Sequence, residues 1–106
     1  MVTTIRLATE HDAPAMARML DAEDIAEICT CPLGEHYLLV AEDPDGRLTA
    51  LAVIRLESRR AELRRLVMMS SDEDDLLSDR MIEAAQALSV ACGCERFEHT
   101  CPFRCN

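Results

Sequence analysis

Apolar residues recur every second residue in some segments, as in a β-strand, and every three to four residues in others, as in a helix. The first two elements that this pattern predicts are a strand and a helix. Residues 3–8 alternate and are rich in β-branched side chains, which is typical of a β-strand. Thr9 is followed three positions later by Asp12, the spacing of a capping box, and Pro14 lies in a first helical turn, where proline is tolerated. The pattern therefore predicts a strand over residues 3–8 and a helix that ends near Leu20.

A second short helix and a loop are predicted before the chain turns to β-structure. Asp21 with Asp24 repeats the capping spacing and predicts a helix that ends near Cys29. Residues 30–34, Thr-Cys-Pro-Leu-Gly, are predicted to be a loop because they contain proline and glycine. The N-terminal third is thus predicted to be a strand followed by two helices.

Three strands joined by tight turns are predicted in the middle of the chain. They cover residues 37–42, residues 47 to about 56 and residues 61–69. Residues 43–46, Asp-Pro-Asp-Gly, have the signature of a tight turn, and residues 58–60 form the second connection. These segments predict a β-meander.

A long amphipathic helix and a last strand complete the pattern. Ser70 and Ser71 are helix-capping residues, and Gly93 stands where a left-handed residue ends the helix. Residues 95–100 are predicted to be a strand. The buried stripe of the helix has three- and four-residue spacing and comprises Leu77, Met81, Ala84, Ala85, Leu88 and Cys92. The predicted order is β-α-α-β-β-β-α-β, a single α+β domain over residues 1–106.

The composition narrows the function classes. The chain has 106 residues, of which 49% are hydrophobic and 29% charged, as in an ordinary globular domain. No run approaches the roughly 18 apolar residues that a membrane helix needs, and no secretion signal is visible, so we expect a cytoplasmic protein. The 20 acidic residues exceed the 11 basic ones, all arginine, and give a net charge of −9. Repulsion at that charge argues against binding to nucleic acid or to anionic membranes.

Four parts of the sequence together resemble the GNAT-type N-acetyltransferase superfamily. Residues 5–16 resemble its first strand and helix, and residues 37–46 resemble its central hairpin. Residues 61–67 resemble its fourth strand, and residues 82–98 resemble its third helix with the fifth strand. The resemblance implies a GNAT-like central mixed sheet that lacks the superfamily's C-terminal helix and closing hairpin. A sheet with an unfinished edge usually finds cover, so we expect a homodimer or another protein partner there.

The resemblance also implies positions for acetyl-CoA. In the superfamily, a loop before the long helix and the N–H groups at that helix's N-terminus hold the pyrophosphate of acetyl-CoA. The corresponding residues in this chain, should the cofactor bind, are Val67, Met69, Ser70 and Ser71.

One catalytic residue can be carried over from the superfamily. Its enzymes often use a carboxylate on the central strands as general base, and Glu62 lies on the strand that resembles the fourth. The simpler interpretation of Glu62 is a solvent-facing strand residue paired with Arg64 or a neighbour. The general acid is often a tyrosine in the C-terminal part, and no tyrosine follows Tyr37.

The segment before the long helix departs from the superfamily's pattern. Glu73 stands where an arginine or glutamine is expected, and Asp74, Leu76 and Ser78 stand where small, glycine-like residues are expected. The four carboxylates at residues 72–75 repel a phosphate group by on the order of 1 kcal/mol per pair. Acidic residues in a first helical turn also stabilise the helix itself, and they can attract a cation or a basic partner protein.

Six cysteines fall into three pairs, which in a cytoplasmic protein indicate metal or redox chemistry more than disulfides. Soft metals such as Zn, Cu or Fe–S clusters suit such ligands, and the candidates are Cys29, Cys31, Cys94, Cys101, Cys105 and His99. Cys94 and Cys101 lie about 23 Å apart if a strand separates them, so they cannot share one ion. Cys92 is expected to be a buried small hydrophobe, and His11 and His36 are expected to be exposed polar residues.

These observations leave three hypotheses open. The first is a degenerate GNAT-like domain that acts as a cysteine-based metal- or thiol-binding module or as a protein-interaction module. The alternative is an acetyl-CoA-dependent N-acetyltransferase with an atypical CoA site, which a second subunit can complete, and with Glu62 as base. The third is a structural subunit whose thiols are inert.

Overall fold

A computed structural model of the chain describes residues 3–21, 35–69, 74–99 and 103–105. Strands and helices alternate in it much as the hydrophobic pattern predicts. In chain order the elements are β1 (Thr4–Leu7), a 3-10 turn (Glu10–Asp12), α1 (Ala13–Met19), β2 (Glu35–Glu42), β3 (Leu48–Glu57), β4 (Arg60–Met68), α2 (Asp74–Ala91), β5 (Arg96–His99) and β6 (Phe103–Cys105). The helix predicted over residues 21–29 lies outside the described residues, apart from Asp21.

The strands form one mixed sheet in the order β1-β2-β3-β4-β5. Neighbouring strands are antiparallel from β1 to β4, whereas β5 runs parallel to β4. This arrangement confirms the predicted α+β class and the GNAT-like mixed sheet. Of the helices in the described part of the chain, none combines the length and the apolar character of a transmembrane segment.

The C-terminal part of the sheet differs from the prediction of one final strand over residues 95–100. β5 covers only Arg96–His99, and a further strand, β6, pairs in parallel with the C-terminal half of β4 at Leu66–Met68. The pattern did not reveal β6, because three residues are too few to show an alternation of period two. β4 is therefore flanked by β5 along its first half and by β6 along its second half.

The core has two apolar layers, one on each face of the sheet. On one face α2 covers the larger cluster, in which Ile54, Leu63 and Met81 are fully buried. On the other face α1 covers a smaller cluster, which consists of Met19, Val40, Leu51 and Val67. The described part of the core is almost entirely aliphatic, as the low aromatic content of 3% predicts.

The buried stripe of α2 is largely as predicted. Met81 and Ala85 are fully buried, and Leu77, Ala84 and Leu88 pack against the same cluster. Cys92 was expected to continue the stripe, but it is exposed. The reason is that α2 ends at Ala91 and that Gly93, with φ of 85°, turns the chain away in the left-handed conformation expected of it.

A charged network ties β1, α1 and β2 together at the start of α1. The carboxylate of Asp12 accepts the Thr9 N–H at 2.7 Å, which confirms the predicted capping box. The same carboxylate binds the Arg6 guanidinium in bidentate fashion, at 2.7 and 3.0 Å, and Arg6 also donates to Glu42 at 3.0 Å. The side chain of Arg6 in β1 therefore connects this strand to β2 and to the start of α1.

The network predicts a loss of stability in acid. The Asp12 carboxylate accepts hydrogen bonds from Arg6 and from the Thr9 N–H, and these hold the pKa of Asp12 well below its ordinary value of 3.8. The bond from Arg6 has the larger effect. A lowered pKa means that the stabilisation is present at neutral pH and is lost as the pH falls through 3.8 towards the folded-state value. We expect Asp12→Asn to lower the free energy of unfolding by about 1–2 kcal/mol at pH 7 and by much less at pH 3.

Urea denaturation at the two pH values measures this difference. Asp79→Asn, at an exposed position of α2, is the matched control and should change little at either pH. An equal effect of Asp12→Asn at pH 3 and pH 7 would show that the pKa of Asp12 is not lower in the folded state than in the unfolded state.

Candidate active site

A row of charged and titratable side chains crosses four strands on one face of the sheet. His36 of β2 is the register partner of Arg55 in β3, Arg55 is the partner of Glu62 in β4, and Glu62 is the partner of Glu98 in β5. Register partners point to the same face of a sheet. Because Ala61 and Leu63, on either side of Glu62, pack under α2, the row lies on the opposite face, the α1 side.

Glu62 is the most central carboxylate of this row. Its side chain forms an ion pair with Arg64, as the simpler sequence interpretation expects. That interpretation also expected Glu62 to face solvent, and this is wrong, because its side chain is only 14% exposed. Neighbouring arginine side chains shield it, since Arg55 lies opposite Glu62 on β3 and Arg64 follows two positions later.

A β-bulge in β4 changes the direction of side chains immediately after Glu62. Val53 of β3 pairs with Arg65 and Ile54 pairs with Leu63, so Arg64 is an extra residue in β4. Bulges of this kind re-aim side chains, and here the extra residue, Arg64, forms an ion pair with the Glu62 carboxylate.

A hollow of about 60 Å³ adjoins Glu62 and is lined by Arg55, Glu57, Arg60, Glu62 and Arg64. Such a volume accommodates a few water molecules or a small polar group. A mostly buried carboxylate that faces a hollow is well placed to accept a proton from a bound molecule.

The three described histidines occupy different environments. His11 and His99 are exposed, which agrees with the expectation for His11. His36 was expected to be exposed, but it is half-buried and its Nε2 atom is buried. The strand β2 begins at Glu35 and not at Tyr37, and this places His36 within the sheet beside Arg55.

The single tyrosine lies away from Glu62. Tyr37 pairs with Ile54 and packs against the cluster under α2, on the face opposite to the charged row. It therefore supplies no acid on the Glu62 side.

Two of the residues suggested for acetyl-CoA are described. Val67 is fully buried in the cluster under α1, so its side chain is not accessible to a ligand. Met69 is 39% exposed, and its N–H donates to the Thr49 carbonyl at 2.9 Å. Ser70 and Ser71 lie outside the described residues and their role stays a prediction.

The cysteine hypothesis gains no support from the described part of the chain. There, Cys92 and Cys94 carry free thiols, and no group of three or more His, Cys, Asp or Glu is placed to hold a metal ion. Cys29, Cys31 and Cys101 lie outside that part, and only the backbone of Cys105, opposite Met68, is described. The metal site at these residues stays a prediction.

Sequence comparison finds no known family for the chain, whereas structural comparison finds proteins that share its fold. No protein-family model matches it, and no curated protein matches its sequence. A GNAT family acetyltransferase from Staphylococcus aureus superposes with a TM-score of 0.70 at 11% identity, over 96% of this chain and 88% of that one. Glucosamine-6-phosphate N-acetyltransferase from Arabidopsis thaliana superposes with a TM-score of 0.69 at 14% identity, over 96% and 84%.

A third solved structure contains a ligand related to CoA. AAC(6')-Iy, in complex with the bisubstrate analogue CoA-S-monomethyl-acetylneamine, superposes with a TM-score of 0.72 at 15% identity, over 96% of this chain and 81% of that one. Identities this low establish the fold. With its mixed sheet, the parallel pair β4–β5 and the long helix between those two strands, the chain has the fold of the GNAT-type N-acetyltransferases.

Proposed function

We propose that the chain is an acetyl-CoA-dependent N-acetyltransferase in which Glu62 is the general base. The observation that carries the proposal is the position of Glu62, a mostly buried carboxylate in the charged row that faces a hollow on the fourth strand. The acetyltransferases that share the fold support the same activity. The cysteine-based module, by contrast, has no supporting observation among the described residues.

The proposed reaction needs one proton acceptor beside the amine. The amine nitrogen attacks the thioester carbonyl of acetyl-CoA, the carbon–sulfur bond breaks, and the sulfur leaves with its electron pair. Glu62 takes the proton that the nitrogen loses, and the thiolate of CoA is protonated from solvent. The ion pair with Arg64 holds the Glu62 carboxylate in one orientation for this step.

The direction in which acetyl-CoA would lie follows from the two ends of its site. Its pyrophosphate would lie at the N-terminal end of α2, near Ser70 and Ser71, where the helix macrodipole favours an anion. Its thioester would lie near Glu62. Glu62 and Met69 are seven residues apart, or about 23 Å along a strand, so the cofactor would follow the second half of β4.

That half of β4 is already paired with β6 at Leu66–Met68. A cofactor that paired with the backbone edge of β4 at Leu66 or Met68 would have to replace β6 there, whereas one that lay across the α1 face would leave β6 in place. The cover of the sheet edge by a second copy of this chain or by another protein stays a prediction.

The test of the proposed function is calorimetric titration with acetyl-CoA, followed by an assay of thiol release with a panel of primary amines. We expect saturable binding and release of CoA that requires both the protein and an amine. Absence of binding up to millimolar acetyl-CoA would contradict the proposal.

The acidic residues before α2 predict that CoA binds more weakly than it would without them. Each carboxylate a few ångströms from a phosphate costs on the order of 1 kcal/mol, so Asp72→Asn with Glu73→Gln should tighten CoA binding by about thirtyfold. Calorimetry at low ionic strength measures the effect. Glu83→Gln, at an exposed position of α2, removes one negative charge, as each of the two substitutions does, and serves as the control. Unchanged affinity in the double variant would show that the pyrophosphate does not lie at this end of α2.

A further inference from the structure

A polar cleft extends from the Glu62 hollow to the end of the sheet where β3 turns into β4. A second hollow of about 240 Å³ lies beside this turn and the start of β5. Glu57 and Arg60 line both hollows, so the two adjoin each other. The larger volume is open to solvent at the turn, and the smaller one reaches Glu62.

Arginine is concentrated in this cleft. Of the 11 basic and 20 acidic residues of the chain, five arginines and three glutamates line the two hollows. The lining therefore carries two positive charges more than negative ones, in a chain whose net charge is −9. The arginines are Arg55, Arg59, Arg60, Arg64 and Arg96, and the glutamates are Glu57, Glu62 and Glu95.

The three arginines at the open end use few of their N–H donors on carboxylate partners. Arg60 and Arg96 approach Glu98 at 3.7 and 3.9 Å, which is beyond hydrogen-bond distance. Arg59 contacts Glu95 at 3.1 Å through one nitrogen. A guanidinium carries five N–H donors, so these side chains retain donors for a ligand.

The backbone at this end of the cleft is fixed. Ser58 and Arg59 both have positive φ, 49° and 67°, in the tight turn between β3 and β4. The Arg59 carbonyl accepts the N–H of Glu95 at 2.7 Å and that of Arg96 at 3.3 Å, which ties the turn to the start of β5. Positive φ at both central residues is the geometry of a type I′ hairpin turn, which fixes the direction of the chain between the two strands.

We propose that the acceptor substrate is a small amine that carries an anionic group, a carboxylate or a phosphate. Arg60, with Arg59 and Arg96, binds the anion in the larger hollow, and the amine reaches Glu62 in the smaller one. Arg60 and Glu62 are two residues apart on one face of β4, about 7 Å, so the amine and the anion are separated by a short linker. The assignment of the amine end rests on the proposed acetyltransferase function, whereas binding of the anion does not.

NMR titration of the isotopically labelled chain with three amines tests the proposal. The probes are ethanolamine, O-phosphoethanolamine and β-alanine, of which the first lacks the anion. We expect at least one of the two anionic amines to bind about tenfold or more tightly than ethanolamine. The tighter of the two identifies phosphate or carboxylate as the preferred anion. Equal affinities, preference for ethanolamine, or no binding of either anionic amine at millimolar concentration would overturn the proposal.

Variants locate the anion. Arg60→Gln should weaken binding of the preferred anionic amine about tenfold and leave ethanolamine unchanged. Arg96→Gln, at a position whose side chain is 76% exposed, provides a second variant if Arg60→Gln disturbs folding. Arg18→Gln, on the exposed side of α1, removes the same charge outside the cleft and should bind as the unmodified chain does.

The two proposals fail in different ways. Binding of the anionic amines without acetyl transfer from acetyl-CoA would leave the cleft as an anion site and refute the acetyltransferase function. Acetyl transfer to ethanolamine and to O-phosphoethanolamine at the same kcat/KM, with equal affinities, would leave the acetyltransferase function standing and refute the substrate class.

Discussion

Replacing Glu62 by glutamine is expected to lower kcat for acetyl transfer by about 10²–10⁴-fold, while the affinity for acetyl-CoA stays the same. The amide keeps the size of the side chain and its place beside Arg64, but it cannot accept the proton of the attacking amine. General-base catalysis contributes rate factors of this order. Single-turnover measurements at saturating acetyl-CoA separate this step from binding and product release.

Two further variants make the Glu62 result specific. Glu62→Asp retains a carboxylate one methylene further from the hollow, so its rate should lie between those of the original chain and Glu62→Gln. Glu83→Gln, at an exposed position of α2, removes an equal charge and should keep the full rate. A Glu62→Gln chain that transfers acetyl groups at the original rate would exclude Glu62 as the base.

Replacing Leu63 by alanine is expected to lower the free energy of unfolding by about 2–5 kcal/mol. Leu63 is fully buried in the cluster under α2, one position from Glu62. The cluster around it is almost wholly aliphatic and includes the strand residues Ala52 and Ala61. Their methyl side chains are too small to move into the space that the truncated Leu63 side chain leaves. Because small domains are stable by only about 5–15 kcal/mol, this one truncation removes a large share of the total.

Urea denaturation of Leu63→Ala beside Leu76→Ala provides the comparison. Leu76 lies on α2 and is 71% exposed, so its truncation should cost less than about 0.5 kcal/mol. Equal effects of the two substitutions would mean that the layer between β4 and α2 is not packed as described.

Local signals in the sequence predict much of the fold. Asp43 accepts the N–H groups of Asp45 and Arg47 at 2.9 Å each, so the predicted turn is held by its own first side chain. The capping box at Thr9 and the left-handed Gly93 are equally local, because each depends on residues within one helical turn. Interactions of this range are visible in the order of residues alone.

The candidate site depends on contacts that are distant in sequence. The charged row forms because the pairing of β2 with β3, of β3 with β4 and of β4 with β5 places His36, Arg55, Glu62 and Glu98 side by side. No short sequence pattern encodes the register of four strands. The same reason explains why the arginine cleft was not predicted. Glu57 and Arg60 lie at a hairpin end, and the residues that close the cleft, Glu95 and Arg96, lie where β5 begins after α2.

The bulge at Arg64 determines where β4 tolerates a change in length. Before it, Ala61 and Leu63 face α2, whereas after it Leu66 and Met68 do, so the apolar phase of the strand shifts by one residue within a single element. A deletion between Leu63 and Leu66 straightens the strand and keeps both apolar pairs inward. A deletion elsewhere in β4 turns one pair towards the opposite face. Homologous sequences should therefore differ in length in β4 only between those two leucines, and an alignment gap placed elsewhere in the strand would assign half of its residues to the wrong face.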